Sequence, residues 1–256
     1  MPVMPQSVRS LLRAQLEKVW DKLGIRIELR RKRSLKPIGQ DHRFDYQKRY
    51  IEFGIEPGMR ILDIGSGGDP FPAASFLVER HLQPVFRTES LVTNEKPLVV
   101  ADIHALPFPA KSFDFVYSAH VLEVVDDPIQ ACKEMIRVGK RGYIETPTEG
   151  KDILFGWARN LQKWHVVAIG SNLCFFEYSD RQLTGINSAV WRELIFDKWQ
   201  HPLQDVFWDN QDVFNVMFQW TDRFSVFVFY LDGFIKTLNT STEVSSPVFD
   251  IPLVKN

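Results

Sequence analysis

From about residue 59 the chain alternates short apolar runs with turns and helix-period stretches, the pattern of a mainly parallel sheet with crossovers. The runs predict strands at 60–64, 75–79, 97–101, 113–118 and 142–146. Between the last two, Asp126, Asp127 and Pro128 open a predicted helix whose apolar positions Ile129, Met135, Ile136 and Val138 precede Gly139. Further on, HVVAIG and NLCFFEY flank Gly170 and Ser171, which predicts a hairpin inserted at about 160–180. A second hairpin, VFNVMFQW and FSVFVFYL joined by Thr221, Asp222 and Arg223, is apolar enough to be buried on both faces. It is expected to form the antiparallel end of the main sheet, with the first hairpin standing near the substrate.

Ahead of this pattern, residues 1–44 read as a basic helical extension. Val8, Leu11, Leu12, Leu16, Val19, Trp20 and Leu23 make one helical stripe, and the Arg30 to Arg33 cluster leads into a linker ending near Gly39. The polar face is mixed in charge and Trp20 is the only aromatic, so the stripe suits docking on the body, or on a second subunit, better than on a membrane. The main domain is then expected at 45–236, with 237–256, rich in Ser and Thr, as a flexible tail.

Composition changes this picture little. With 45% hydrophobic and 25% charged residues the chain is an ordinary globular one. Cys132 and Cys174 have no metal-ligand spacing and point to a reducing, cytoplasmic setting. The absence of an apolar leader, or of 18 apolar residues in a row, predicts no signal peptide and no membrane span. Charge adds more: residues 1–50 hold 13 Lys and Arg against 5 Asp and Glu, and the remainder 18 against 27. A basic arm on an acidic body is either a solvated helix surface or a contact for an anionic partner such as a nucleotide sugar, a phospholipid surface or RNA.

The candidate chemistry begins in ILDIGSGGDP, where Asp63 ends a buried strand and Gly65, Ser66, Gly67 and Gly68 form the turn. A tight strand-to-helix turn needs about one glycine; three in four residues suit a backbone pressed against a ligand. The sixth position of a dinucleotide fingerprint is Pro70, Asp69 would repel a pyrophosphate, and no phosphate-binding G-x-x-x-x-G-K-[ST] string occurs. A nucleoside without phosphates fits better, and S-adenosylmethionine is such a ligand.

ILDIGSGG, ADIHALPFPAKSFDFVYSAHVLEVVDDP and GKRGYIETP, in that order within residues 59–148, resemble the methyltransferase type 11 family of class I enzymes. The resemblance implies a Rossmann-like, doubly wound α/β fold with a seven-stranded sheet, and S-adenosylmethionine as cofactor. It implies that Asp63 holds the loop and the methionine amine, and that Gly65, Ser66 and Gly67 face the amino acid portion. Glu79 would take the ribose hydroxyls, Asp102 and Ile103 the adenine, walled by Leu106, Pro107 and Phe108, and Ser118 would stand where cofactor and acceptor meet. Two departures stand out: Pro70 and Pro72 occupy the family's first helix, and Val124 replaces a common histidine.

Methyl transfer is an in-line displacement at an activated carbon, so a protein mainly aligns the nucleophile and, for a hydroxyl, supplies a base. His120, at the end of the fourth strand, is the first candidate base, His165 the second and Glu145 the third. Trp157, Trp164, Phe175, Phe176 and Tyr178 suit either an acceptor pocket or plain core, and Tyr46 and Tyr50 suit a lid. No N-P-P-[FY] string or Pro-Cys nucleophile occurs, which leaves a small-molecule, glycan or lipid-like acceptor. A catalytically silent S-adenosylmethionine-binding module is one alternative. An RNA methyltransferase is another, against which the acidic body stands.

Overall fold

The computed structural model describes residues 42–83, 90–155, 162–179 and 202–238. The predicted helical stripe from Val8 to Leu23, the tail from 239 and Trp157 lie outside the described residues. Helix α1 (His42–Tyr50) comes first, with Asp45 in its first turn and Lys48 and Arg49 in its last, charges that suit the helix dipole.

The strands β1 (Ile61–Ile64), β2 (Phe76–Glu79), β3 (Leu98–Val100), β4 (Phe115–Ala119) and β5 (Arg141–Pro147) are parallel and fall where the apolar runs predict. The main sheet runs β3-β2-β1-β4-β5-β8, with β8 (Asn215–Thr221) antiparallel to β5. Every residue of β1 and β4 is buried, because both faces are covered. Leu62, Ile64, Val78, Val116 and Ile144 pack on one side with helix α2 (Pro128–Val138). Ile61, Leu77, Phe115, Tyr117 and Tyr143 pack on the other, with Phe44 of α1, Phe53 and Phe71. Helix α2 begins as read: the Asp127 side chain accepts from the Gln130 N–H, and Pro128 occupies the first turn.

The sheet differs from expectation at its far end. Among the described residues it has six strands rather than seven, because only β8 of the second hairpin joins it. The chain turns at Asp222, whose φ is 61°, and β9 (Ser225–Phe229) pairs in parallel with β7 (Asn172–Glu177) of the inserted hairpin. A second sheet results, in the order β10-β9-β7-β6, from β6 (Trp164–Ile169) to β10 (Ile235–Leu238). Val226 and Val228, on one face of β9, are fully buried in the same core as Met135 of α2, while Phe227 and Phe229 on the other face are half-buried. The chain completes with α3 (Glu149–Phe155), α4 (Pro202–Asp209) and α5 (Gln211–Phe214). No helix among the described residues is long and apolar enough to cross a membrane.

Candidate functional site

The strand order reverses between β1 and β4, the place where open α/β sheets bind ligands beyond their carboxyl ends. A cavity of about 550 Å³ lies there, lined among others by Gly65, Gly67, Glu79, Asp102, Ile103 and His120. Gly65 has φ 73° and donates its N–H to the Val78 carbonyl at 2.8 Å. A Cβ on Gly65 would collide with Val121 Cγ2, so a bare backbone is required on two counts. Gly67, with φ 56°, donates its N–H to Glu79 Oε1 at 2.5 Å, so the carboxylate that ends β2 also ties the loop to the sheet.

Asp63 lies under the loop rather than among the lining residues, and its Oδ2 accepts from the Phe71 N–H at 2.7 Å. Burial pushes its carboxyl up to about 7, against the pull of that N–H, Arg43 and Lys96. Pro70 and Pro72, which have no backbone N–H to give, flank Phe71, whose N–H is met by Asp63 rather than by a helix carbonyl. Ser66 and Ser118 are buried beside the site, and neither hydroxyl has a hydrogen-bond partner among the described residues.

Asp102 is held at the cavity rim. Its Oδ1 takes the His104 N–H at 2.9 Å and lies 2.5 Å from His104 Nδ1, and its Oδ2 is 3.2 Å from Arg80 Nε. Partial burial raises its pKa, but these partners outweigh that and hold it below the ordinary range. His104 Nε2 accepts from the Asp127 N–H at 3.2 Å, which assigns the proton to Nδ1 and links the rim to the start of α2. Leu106 and Phe108, expected as an adenine wall, belong instead to the core, and their carbonyls accept from Arg137. Val121, Val124 and Val125 supply the apolar wall, so the position that lacks the family's histidine is part of that surface.

His120 ends β4 with a left-handed backbone, φ 59°, and reaches the cavity wall. Its Nδ1 lies 3.5 Å from Glu123 Oε1 and its Nε2 3.4 Å from Glu145 Oε1. Burial and Lys151 lower its pKa, yet the two carboxylates outweigh them and leave it raised. Glu145 Oε2 accepts from Gln47 Nε2 at 2.7 Å and from the Tyr143 hydroxyl at 2.5 Å. Although burial opposes its charge, His120, Arg43 and Tyr143 bring Glu145 down to about 2. Behind it, burial pushes Lys151 down to about 8 and Asp152 up to about 7. Glu123, Lys151, Asp152 and Gln47 escape the sequence reading; the one available signal is a charged residue inside the apolar string VLEVV.

The remaining candidates lie elsewhere. The His165 ring stacks on Phe176 at 4.9 Å, its pKa lowered by burial, and it does not line the cavity. Trp164 and Phe175 are core, and the Tyr178 hydroxyl donates to Asp152 at 3.0 Å. Tyr46 packs on Tyr50 and donates to Asp212 at 2.7 Å. From α1 it is Arg43 that reaches the glycine loop, donating to the Asp69 carbonyl at 2.9 Å and to its Oδ2 at 3.1 Å.

Residues 62–144, which span the loop, the rim and the His120 turn, match the family model described as a methyltransferase domain. Over about a third of its length the chain is thus similar to methyltransferase domains. The chain is similar to cycloartenol-C-24-methyltransferase 1 of Oryza sativa subsp. japonica, 30% identical over 105 residues that cover 36% of this chain and 30% of the relative. The Arabidopsis thaliana cycloartenol-C-24-methyltransferase matches at 30% identity, over 36% of this chain and 31% of the relative. The chain thus spans about a third of the length of these curated relatives. Among solved structures, a methyltransferase of Thermotoga maritima titled as a possible histamine N-methyltransferase is 26% identical, with TM-score 0.34 over 43% of this chain and 55% of that one. A Haloferax volcanii methyltransferase, solved with its Trm112 activator, is 15% identical with TM-score 0.43, over 71% of this chain and 89% of that chain.

S-adenosylmethionine is the cofactor of such domains, and the cavity's chemistry suits it. Bare glycine backbone, two carboxylates at the ends of β2 and β3, and an apolar wall meet an amino acid end, a diol and a base. The volume falls within the roughly 300–1,000 Å³ usual for small-ligand sites.

Proposed function

We propose that the protein transfers a methyl group from S-adenosylmethionine to a hydroxyl of a small-molecule or glycan acceptor. The observation that supports this most is the convergence of Gly65, Gly67, Glu79, Asp102, Ile103 and His120 on one cavity at the switch point of the sheet. In this reading the loop backbone receives the methionine portion, with Asp63, Ser66 and Ser118 supporting it from below. The Glu79 carboxylate accepts from the ribose hydroxyls, and Asp102 accepts from the adenine amine while Ile103 packs on the ring. The protein's main contribution is alignment of the acceptor oxygen with the methyl group, a term worth about 7–11 kcal/mol. The donor carbon is already activated by the positive sulfur.

A second reading, methylation at carbon of a lipid-like acceptor, draws on the names of the two plant relatives. Calorimetry with S-adenosylmethionine and its demethylated product, followed by mass analysis of acceptor panels, tests both. Binding of both ligands and a product heavier by one methyl on oxygen is expected. Failure to bind either ligand rejects the cofactor assignment; methyl on carbon favours the second reading, and binding without turnover favours a silent module.

A further inference from the structure

A glycine loop that leaves a parallel strand ordinarily runs into a crossover helix, whose first N–H groups hold the loop and the anionic end of a ligand. Here residues 65–75 form turns and no helix, with Pro70 and Pro72 inside the stretch. Its backbone groups are met largely from outside. The Gly67 N–H goes to Glu79, the Gly67 carbonyl takes the Val92 N–H at 3.1 Å, and the Asp69 carbonyl takes Arg43. The remaining attachment is Lys96, whose Nζ donates to the Phe71 carbonyl at 2.8 Å and to the Pro72 carbonyl at 2.9 Å. Since Asp63 accepts the Phe71 N–H, Asp63 and Lys96 grip one residue at its two backbone polar groups. The Phe71 ring is fixed as well, stacked on Tyr117 with centroids 4.2 Å apart.

Lys96 is brought to this place by an unusual turn between β2 and β3. Asn94 and Glu95 both have left-handed backbones, with φ 48° and 62°, and the Lys96 N–H closes the turn on the Thr93 carbonyl at 2.9 Å. Asparagine tolerates that conformation and glutamate resists it, so it is kept only where the surroundings over-determine it. We infer that Lys96 is a positioning residue for the amino acid end of the cofactor. By gathering the Phe71 and Pro72 carbonyls it takes the place of the crossover helix and holds the Gly65–Gly67 backbone in shape. This rests on the proposed S-adenosylmethionine site and deepens it. Lys96 acts through the loop and does not line the cavity, so its influence falls on the part of the ligand that the loop receives. The base and the ribose are left to Asp102 and Glu79, which belong to β3 and β2 ends that Lys96 does not touch.

The test compares two ligands by calorimetry: the demethylated product, and 5′-methylthioadenosine, which keeps base, ribose and sulfur but lacks the amino acid. In Lys96→Met, which keeps the apolar stem and loses the charge and the donors, the product should bind about tenfold more weakly, and methylthioadenosine within roughly twofold of the wild type. Lys96→Arg, which restores charge and donors, should recover most of that difference. Glu95→Gly, which accepts the left-handed backbone freely, should keep the wild-type ratio of the two affinities. Should Lys96→Met not fold, Lys96→Gln retains one donor group, and a smaller loss confined to the product is expected. A lysine that merely stabilises the fold would lower the urea midpoint and leave the ratio unchanged. That outcome, or equal weakening of both ligands, overturns the inference while the cofactor site stands. A wild type that binds neither ligand overturns the cofactor reading itself, and the inference with it.

Discussion

Single residues carry most of what distinguishes this site, and they do so through backbone geometry as much as through charge. Gly65 combines a positive φ with a void too small for a methyl group. Gly65→Ala is therefore expected to cost about 1–2 kcal/mol from the backbone alone, plus the collision with Val121. In urea unfolding, Gly65→Ala paired with Val121→Ala should recover the collision but not the backbone cost. Asp102 is held ionised by His104 and Arg80 and keeps its charge throughout the neutral range. Asp102→Ala should weaken binding of S-adenosylmethionine and of its demethylated product by about 1–3 kcal/mol through a lost charge-assisted hydrogen bond; calorimetry showing equal affinity would reject its role. His120 is legible in sequence because histidine at a strand end is a recognisable chemical candidate. Glu123 is not, because its importance comes from a second strand that brings Glu145 to the other side of the ring.

At the level of elements, local signals succeed wherever the partners are near in sequence. Helix α2 is announced by Asp127, Pro128 and its apolar spacing, and the cap hydrogen bond is present. Asp127→Ala should lower stability in urea by about 1 kcal/mol. Because His104 Nε2 accepts from the Asp127 backbone N–H, this loss should leave cofactor affinity nearly unchanged. The β1–β2 crossover is half legible: prolines forbid an ordinary helix, but nothing local says that Asp63 will spend a carboxylate oxygen on the Phe71 N–H. The fate of β9 is not legible at all. Its apolar run suits either sheet, and pairing with β7 places Val226 and Val228 in the core with Met135 of α2.

For the whole molecule, two packing layers and a buried polar cluster set the response to pH. Burial, with Glu123 nearby, holds the fully buried Asp152 protonated up to about 7 in the folded state, whereas the unfolded chain releases that proton near the ordinary 3.8. The unfolded state then binds fewer protons across this window, so Asp152 makes stability fall as pH rises from about 4 to 7. Asp152→Asn, which keeps an acceptor for Tyr178, should gain on the wild type over that window by at most about 1.4 kcal/mol per pH unit. Urea midpoints measured at several pH values check this, and a constant difference would refute it. Glu145 acts in the opposite sense: its depressed pKa contributes stability present above the ordinary carboxylate range and lost as pH falls toward about 2. By itself the sequence determined the parallel strands, helix α2 and the glycine loop, because each depends on periodicity, caps and turn residues within a few positions of one another. Only the tertiary structure decided the partner of β9, the burial of Asp63 and the clasp of Glu123 and Glu145 on His120. Those depend on which distant segments share a face and on how much water is left between them.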